Sequence, residues 1–261
     1  MGIAKLSWYN SPMVKKISVV IPSYNEMANL QKGTLEKVER YLERQKYSYE
    51  VLVVDDGSKD GSLEFVKSFI RENSKFKLIE NSHTGKAGAV TAGMIKATGD
   101  YILFTDMDQA APITELEKLI PYSEKFDVII GSRNTVRKGA PFTRKVMSQG
   151  MIILRTFLAG LPEIKDTQCG FKLFRKEAAQ KVFEKIKRIH NGFKTIKGSS
   201  VTAGFDVEVL LIAKELGFSI KEVPVSWLYV ETRRVNPIKD SIEGVLNLIQ
   251  IRKNIWKGLY L

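Results

Sequence analysis

Two kinds of hydrophobic pattern alternate along the chain. ISVVI (17–21), EVLVV (50–54), FKLIE (76–80), YILFT (101–105) and FDVIIG (126–131) are short, nearly continuous apolar runs. Their length and β-branched content suit strands buried on both faces. Between them, apolar residues recur three and four apart. Leu30, Thr34, Val38, Tyr41 and Leu42 mark one helical face, and Leu63, Val66, Phe69 and Ile70 a second. Ala89, Val90, Gly93, Met94 and Ala97 mark a third, and a further helix is expected near 113–120. Strands joined by helices predict a mainly parallel sheet covered on both faces, a doubly wound α/β domain. Beyond 140 the pattern is less regular, with helices expected at 143–159, 176–188 and 206–216 and strands at 171–174 and 219–225. No internal repeat and no linker rich in Pro, Ser or Gly divides the chain, which favours one domain.

The polar residues beyond these strands share a character. In parallel α/β sheets, ligands bind beyond the carboxyl ends of the strands. Here those ends lead into PSYNE, DDGSKDGS, NSHTGKAGA, DMDQAAP and SR. Carboxylates, small residues and basic residues thus collect at one edge. Asp55 and Asp56 suit hydrogen bonds from a base N–H or a ribose hydroxyl, although Asp, Gly and Ser in this order also make an ordinary turn and helix cap. GKAGA opens a helix, so its backbone N–H groups and Lys86 face an anion or simply begin the helix. Asp106 and Asp108 are hard oxygen ligands suited to Mg²⁺ or Mn²⁺, an ion often held by one or two carboxylates plus substrate phosphates.

Composition narrows the partners. Among 261 residues, 41 lysines and arginines outweigh 29 acids for a net charge of +12, which points to anionic partners. No aromatic pattern of the RNA-binding kind accompanies that charge, so nucleic acid is not expected. One cysteine, Cys169, excludes an intrachain disulfide, and with only His83 and His190 beside it a zinc site is not expected. The longest apolar stretch, 151–161, contains Arg155 and falls short of the ~18 residues of a membrane span. The first residues lack the apolar core of a signal peptide, so the expected location is cytoplasmic, at most peripheral on a membrane's cytoplasmic face.

PSYNE, VVDDGSKDGS, GKAGAV, the DMD after YILFT, IIGSR and DTQCGFKLFR stand in an order that resembles the family 2 glycosyltransferases of the GT-A fold. GSR, DTQCGFK and RVNPIKD make the chain most similar to polyprenyl-phosphate hexosyltransferases of the dolichyl-phosphate glucosyl and mannosyl types, over about residues 17–241. The resemblance implies that Pro22, Tyr24 and Glu26 line the nucleotide pocket, that Asp55 holds base or ribose with Asp56 beside it, and that Lys86 approaches the nucleotide. It implies that Asp106 and Asp108 bind the divalent ion and sugar diphosphate. Arg133, Arg144 and Ser148 would meet the acceptor phosphate, Asp166 and Gln168 shape the sugar pocket, and Arg233 and Arg234 close over the diphosphate. Asp106, Asp108 and Arg133 are the expected catalytic residues.

There are departures. Mannosyl members often read DADLQ, but Ala110 stands where that glutamine would be and Gln109 comes one residue earlier. DMDQAAP is nearer the glucosyl form, which favours a UDP-sugar over GDP-mannose; Met107 replaces the usual alanine. The implied reaction moves a hexose to polyprenyl (dolichyl) phosphate with inversion. The acceptor's second pKa is about 6, so it is a nucleophile at neutral pH without a strong base.

The division expected is a catalytic domain over 1–238 and an amphipathic helix over 239–261. Ile242, Val245, Leu246, Ile249, Ile255, Trp256, Leu259 and Tyr260 approximate one apolar face, with Lys239, Arg252, Lys253 and Lys257 nearby. Such a helix either lies at a membrane surface or packs on the domain. A transferase with a non-lipid acceptor and a non-catalytic basic membrane-binding module are the alternative readings.

Overall fold

The computed structural model describes residues 16–133, 160–195, 204–228 and 237–260, without the side chains of 237–244. The expected helix at 143–159 and Arg144, Ser148, Arg233 and Arg234 lie outside the described residues.

The apolar runs form one seven-stranded sheet. Its strands are β1 (Lys16–Ser23), β2 (Ser48–Asp55), β3 (Phe76–Glu80), β4 (Tyr101–Thr105), β5 (Val128–Arg133), β6 (Phe171–Arg175) and β7 (Ile220–Val225), in the order β3-β2-β1-β4-β6-β5-β7. All run parallel except β6, which pairs antiparallel with both β4 and β5. The expected strand at 171–174 is therefore present in a direction its sequence does not encode. Its run is buried on both faces, as β1, β2 and β4 largely are, and such a run looks the same read either way.

The period of two sorts side chains onto two cores. Ile17, Val19, Ile21, Val51, Val53 and Leu103 join one cluster with Leu35, Val38 and Leu42 of α2 (Thr34–Glu43) and Val66 of α3 (Ser62–Glu72). Val20, Leu52, Val54, Ile102 and Phe104 join the other. There they meet Ala89, Val90 and Met94 of α4 (Gly85–Lys96), which follows the short α1 (Met27–Leu30), α2 and α3 in the chain. Gly93 permits this approach, since a Cβ there would lie 2.4 Å from Val20 Cγ1 and 2.8 Å from Val54 Cγ2. The first turn of α4 is thereby fixed at the edge where β1, β2 and β4 end.

Two expectations are corrected in detail. β1 does not stop at Pro22 but continues to Ser23, pairing Pro22 with Val54 and Ser23 with Asp55. The β1–β4 ladder ends at Val20, so beyond it one side of β1 has no partner to lose and a proline is tolerated. The helix expected near 113–120 is broken into 3₁₀ turns at Ile113–Glu115 and Ile120–Tyr122 around α5 (Leu116–Leu119). Pro121 lacks the N–H that would continue the helix and clashes with the preceding turn.

α6 (Lys176–Ile189), α7 (Phe205–Glu215) and α8 (Pro237–Trp256) complete the described helices. The expected single apolar face of the C-terminal helix is divided. Leu248, Ile251 and Tyr260 are buried in the core and Ile255 packs against it, whereas Leu246, Ile249, Trp256 and Leu259 are exposed. A polar network fastens the buried side. Tyr260 Oη donates to Glu208 Oε1 (2.7 Å), Asn254 Nδ2 donates to Tyr260 Oη (3.1 Å), and His190 Nε2 lies 2.7 Å from Glu208 Oε2. Among the described residues, no helix is long and apolar enough to cross a membrane.

Candidate active site

Because six strands are parallel, Ser23, Asp55, Glu80, Thr105, Arg133 and Val225 end at one edge of the sheet. β6 is antiparallel and pairs Phe171 with Thr105, so this edge receives the loop before it, which carries Asp166 to Gly170. Three groups of polar side chains meet there.

The first group follows β1 and β2. Asp55 is buried, and its Oδ2 accepts the N–H groups of Gly57 and Ser58, each at 3.0 Å. Its Oδ1 is buried without a hydrogen-bond partner among the described residues, as is His83 Nε2. A buried unpaired acceptor is destabilising by ~1–3 kcal/mol, so a ligand N–H or O–H delivered to Oδ1 would relieve it. Tyr24 stacks on the His83 ring at 4.5 Å, and His83 itself has a positive φ of 50°. Pro22 pairs with Val54 beside this end of β2, and the Glu26 carboxylate accepts from Asn29 Nδ2 (2.5 Å).

Asp56 differs from its neighbour. Its carboxylate accepts from Asn81 Nδ2 (2.6 Å), Thr84 N (2.9 Å) and Gly85 N (2.8 Å), and His83 Nδ1 lies 3.2 Å away. The anion at the N-terminus of α4 is therefore Asp56 itself, an arrangement the helix dipole favours. The sequence reading placed Asp56 beside Asp55 on the nucleotide; in the structure its oxygens are engaged within the protein.

The second group is the DMD loop. Lys86, in the first turn of α4, places Nζ 2.6 Å from Asp106 Oδ1. Burial alone would lower the Lys86 pKa, but the charges of Asp106 and Asp206 outweigh it and the ammonium is held above its ordinary value. The other Asp106 oxygen is turned to Gly170, where a Cβ would stand 2.0 Å from Oδ2; only glycine fits. Asp108 Oδ1 accepts the Ala110 N–H (3.0 Å). Gln109, at φ 50°, folds back to donate to the Asp106 carbonyl (2.9 Å) and accept from Ile113 N (3.0 Å), so it braces the loop. Met107 is buried in the core.

The third group is Arg133 at the end of β5. Its Nε and Nη2 donate to Asp166 Oδ2 (2.7 Å) and Oδ1 (2.8 Å), and its backbone N–H donates to Oδ2 (3.0 Å). Burial would raise the Asp166 pKa, but the Arg133 hydrogen bonds and charge hold it below the usual carboxylate range. Asp166 N in turn donates to Glu222 Oε1 (2.7 Å) on β7. The guanidinium also lies 5.8 Å from the exposed Trp227 ring. Gln168 is exposed in the same loop.

A family model for glycosyl transferase family 2 matches residues 18–183, which include all three groups. The chain belongs to glycosyltransferase family 2. Its relatives include the dolichyl-phosphate beta-glucosyltransferase of Dictyostelium discoideum, 32% identical over 263 residues, covering 94% of this chain and 76% of that one. Among solved structures it is similar to mannosyl-3-phosphoglycerate synthase from Rubrobacter xylanophilus (TM-score 0.62, 17% identity, 94% of this chain and 75% of that one). It is also similar to mannosyltransferase PcManGT from Pyrobaculum calidifontis, solved with GDP-Man and Mn²⁺ (TM-score 0.52, 15% identity, 93% and 74%). The fold is the GT-A fold.

Within this glycosyltransferase, the sequence reading missed a buried pair. Lys172 of β6 is 1% exposed, donates to the Cys169 carbonyl (2.6 Å) and makes a very short contact to Asp206 Oδ1 at the start of α7. The signal was present: a lysine inside the apolar run FKLF needs a counter-charge when both faces are covered. The nearby Cys169 thiol is pushed up to about 11 by burial, so it stays protonated at neutral pH.

Proposed function

We propose that this glycosyltransferase moves glucose from UDP-glucose to polyprenyl phosphate with inversion at the anomeric carbon. The observation that carries the reading is the placing, at one sheet edge, of the Asp106–Asp108 loop and Arg133, whose guanidinium lies 5.8 Å from the exposed Trp227 ring, with the exposed Leu228 next in the chain. Leu228 is anchored to that loop through its N–H, which donates to the Ala110 carbonyl (2.7 Å). A phosphate on an isoprenoid chain needs a cation with an apolar surface beside it, and this edge offers both. The relationship to a dolichyl-phosphate beta-glucosyltransferase supports the same acceptor and sugar.

The side chains divide the work. Asp55, with its unpartnered buried oxygen, would take a donor of the base or ribose, in a pocket flanked by Tyr24, Pro22 and Glu26. Asp56 would act at one remove, pinning the start of α4 and hence Lys86. Arg133, steered by Asp166, would orient the acceptor phosphate, joined in this reading by Arg144 and Ser148. Gln168 would face the sugar and Arg234 the diphosphate. Attack needs no strong base, because a phosphate monoester is largely dianionic at neutral pH.

Among the described residues no three His, Cys, Asp or Glu side chains gather to cage a metal. Two hard carboxylates, Asp106 and Asp108, suit an ion such as Mn²⁺ or Mg²⁺ whose remaining ligands come from the substrate diphosphate. Bound there, the ion would neutralise the charge that grows on the leaving nucleoside diphosphate. The exposed apolar side of α8, with Arg252, Lys253 and Lys257, would rest on the cytoplasmic face of a membrane, so that 239–261 serves as an interfacial helix.

Nucleotide release with polyprenyl phosphate, Mn²⁺ and either UDP-glucose or GDP-mannose tests the reading. We expect acceptor-dependent UDP release that falls at least about 10³-fold in Asp108→Ala. Release of GDP instead would overturn the donor, and release that ignores the acceptor would overturn the lipid phosphate.

A further inference from the structure

Lys86 and Asp106 are in contact, yet the proposed function needs Asp106 for a metal ion. We propose that Lys86 is a resident counter-cation for Asp106, released only to an incoming diphosphate, so that the divalent ion binds well only together with the nucleotide. The inference rests on Asp106 and Asp108 being the metal pair.

The geometry restricts how Asp106 can escape. Oδ1 stands 2.6 Å from Lys86 Nζ, and Oδ2 faces Gly170 at a distance that leaves no room for a Cβ. The root of the lysine is equally fixed. Asp56 holds the N–H groups of Thr84 and Gly85, and Gly93 seats α4 on Val20 and Val54. What can move is the Lys86 side chain, a flexible stem ending in three rotatable donors.

The surrounding ammoniums weaken the hold on a bare metal ion. Lys86 Nζ lies 5.4 Å from the centre of the Phe104 ring, and Lys172 Nζ lies 5.8 Å from the same ring. Lys172 is matched by Asp206, and Lys86 by Asp106. Asp108 adds a third carboxylate near Lys86, so the two ammoniums weaken but do not cancel the site's attraction for a cation. A divalent ion arriving alone would share Asp106 with one ammonium, whose repulsion is only partly screened at a half-buried site. A diphosphate reverses the sign. Its oxygens accept the Lys86 N–H donors, which frees Asp106 Oδ1 for the ion that arrives with it. Such coupling is reciprocal, so the ion tightens the nucleotide by the same factor.

The test measures Mn²⁺ binding to the full chain from the paramagnetic resonance of free Mn²⁺, with UDP, with GDP and with neither. Wild type should bind Mn²⁺ at least about tenfold more tightly with a diphosphate than without. Lys86→Met should bind Mn²⁺ alone at least about threefold more tightly than wild type and gain less from the diphosphate. Lys86→Gln should behave in the same way and decides the matter if the methionine variant does not fold. Asp108→Ala should leave the free Mn²⁺ resonance undiminished, which locates the binding at this loop. If a folded Lys86 variant binds Mn²⁺ alone no better than wild type, the proposal is overturned. If wild type binds Mn²⁺ equally with and without diphosphate, the coupling is wrong while the metal pair stands. If it takes up no Mn²⁺ with either diphosphate, the metal pair and the proposal fall together.

Discussion

Arg133 and Asp166 face each other through two parallel hydrogen bonds, Nε to Oδ2 and Nη2 to Oδ1, across the gap between β5 and the loop that enters β6. The pair fixes the plane of the guanidinium. Lysine at this position keeps the charge but loses the planar fork. Arg133→Lys is therefore expected to lower kcat/KM for polyprenyl phosphate by about 10²-fold, with the KM for the nucleotide sugar changed less than about threefold. Steady-state kinetics with each substrate varied in turn checks the split; an equal loss for both substrates would move Arg133 away from the acceptor.

At the opposite edge of the sheet, Glu50 collects Ser18 Oγ (2.7 Å), Thr98 Oγ1 (2.6 Å) and Lys77 Nζ (2.8 Å) around a buried carboxylate. Burial alone would raise its pKa, but these hydrogen bonds hold it well below the carboxylate range. A depressed folded pKa stabilises the protein above the unfolded value of about 4.5, and that contribution is lost as pH falls through the folded value. Glu50→Gln should flatten the fall of thermal stability below about pH 4.5. A variant with the wild-type acid profile would show that Glu50 does not carry it.

Tyr260 and His190 both reach Glu208 and so tie the C-terminal residues to α6 and α7. Tyr260→Phe leaves Glu208 Oε1 short of a donor in a buried place and is expected to cost about 1–3 kcal/mol, read from denaturant unfolding. The hydrogen bond to Glu208 raises the His190 pKa, against a smaller opposing effect of burial. That contribution is complete below His190's ordinary value of about 6.5 and disappears as pH rises through the raised one. Glu208→Gln should remove this decline, and a decline that persists in the variant would assign it elsewhere.

Trp256 is 75% exposed with Arg252 5.4 Å from the centre of its ring, and Leu246, Ile249 and Leu259 are exposed beside it. An apolar ridge flanked by cations suits the headgroup region of an anionic membrane. Leu246→Ser with Trp256→Ser should weaken partitioning onto phosphatidylserine vesicles by roughly tenfold, and added salt should weaken wild-type binding. Sedimentation with vesicles measures both; wild-type binding that ignores salt and anionic lipid would remove the helix from the membrane.

The first five strands and the helices between them were legible because buried strands and amphipathic helices leave different periods in the sequence. The edge that collects Asp55, Asp106 and Arg133 was legible too, since parallel strands send their C-terminal loops to one side. The direction of β6 was not, because a strand buried on both faces carries no polarity in its pattern. For the same reason, Asp166 and Gly170 join the site from the loop before a strand, whereas the rule for parallel sheets points only to the loops after them. The ends of helices were legible only where proline or glycine forced them, as at Pro121.

By itself, the sequence determined which runs form strands and which edge carries the carboxylates. These conclusions come from local period and from the direction of parallel strands. Only the tertiary structure decided that Asp56 caps α4 while Asp55 keeps an open oxygen, and that Lys86 meets Asp106. It also decided that Tyr260 belongs to the core while Trp256 faces outward. Adjacent aspartates have the same chemistry in the chain; Asp55 is held by the next turn, Gly57 and Ser58, whereas Asp56 is engaged by residues 25 or more positions away, and that gives them different work.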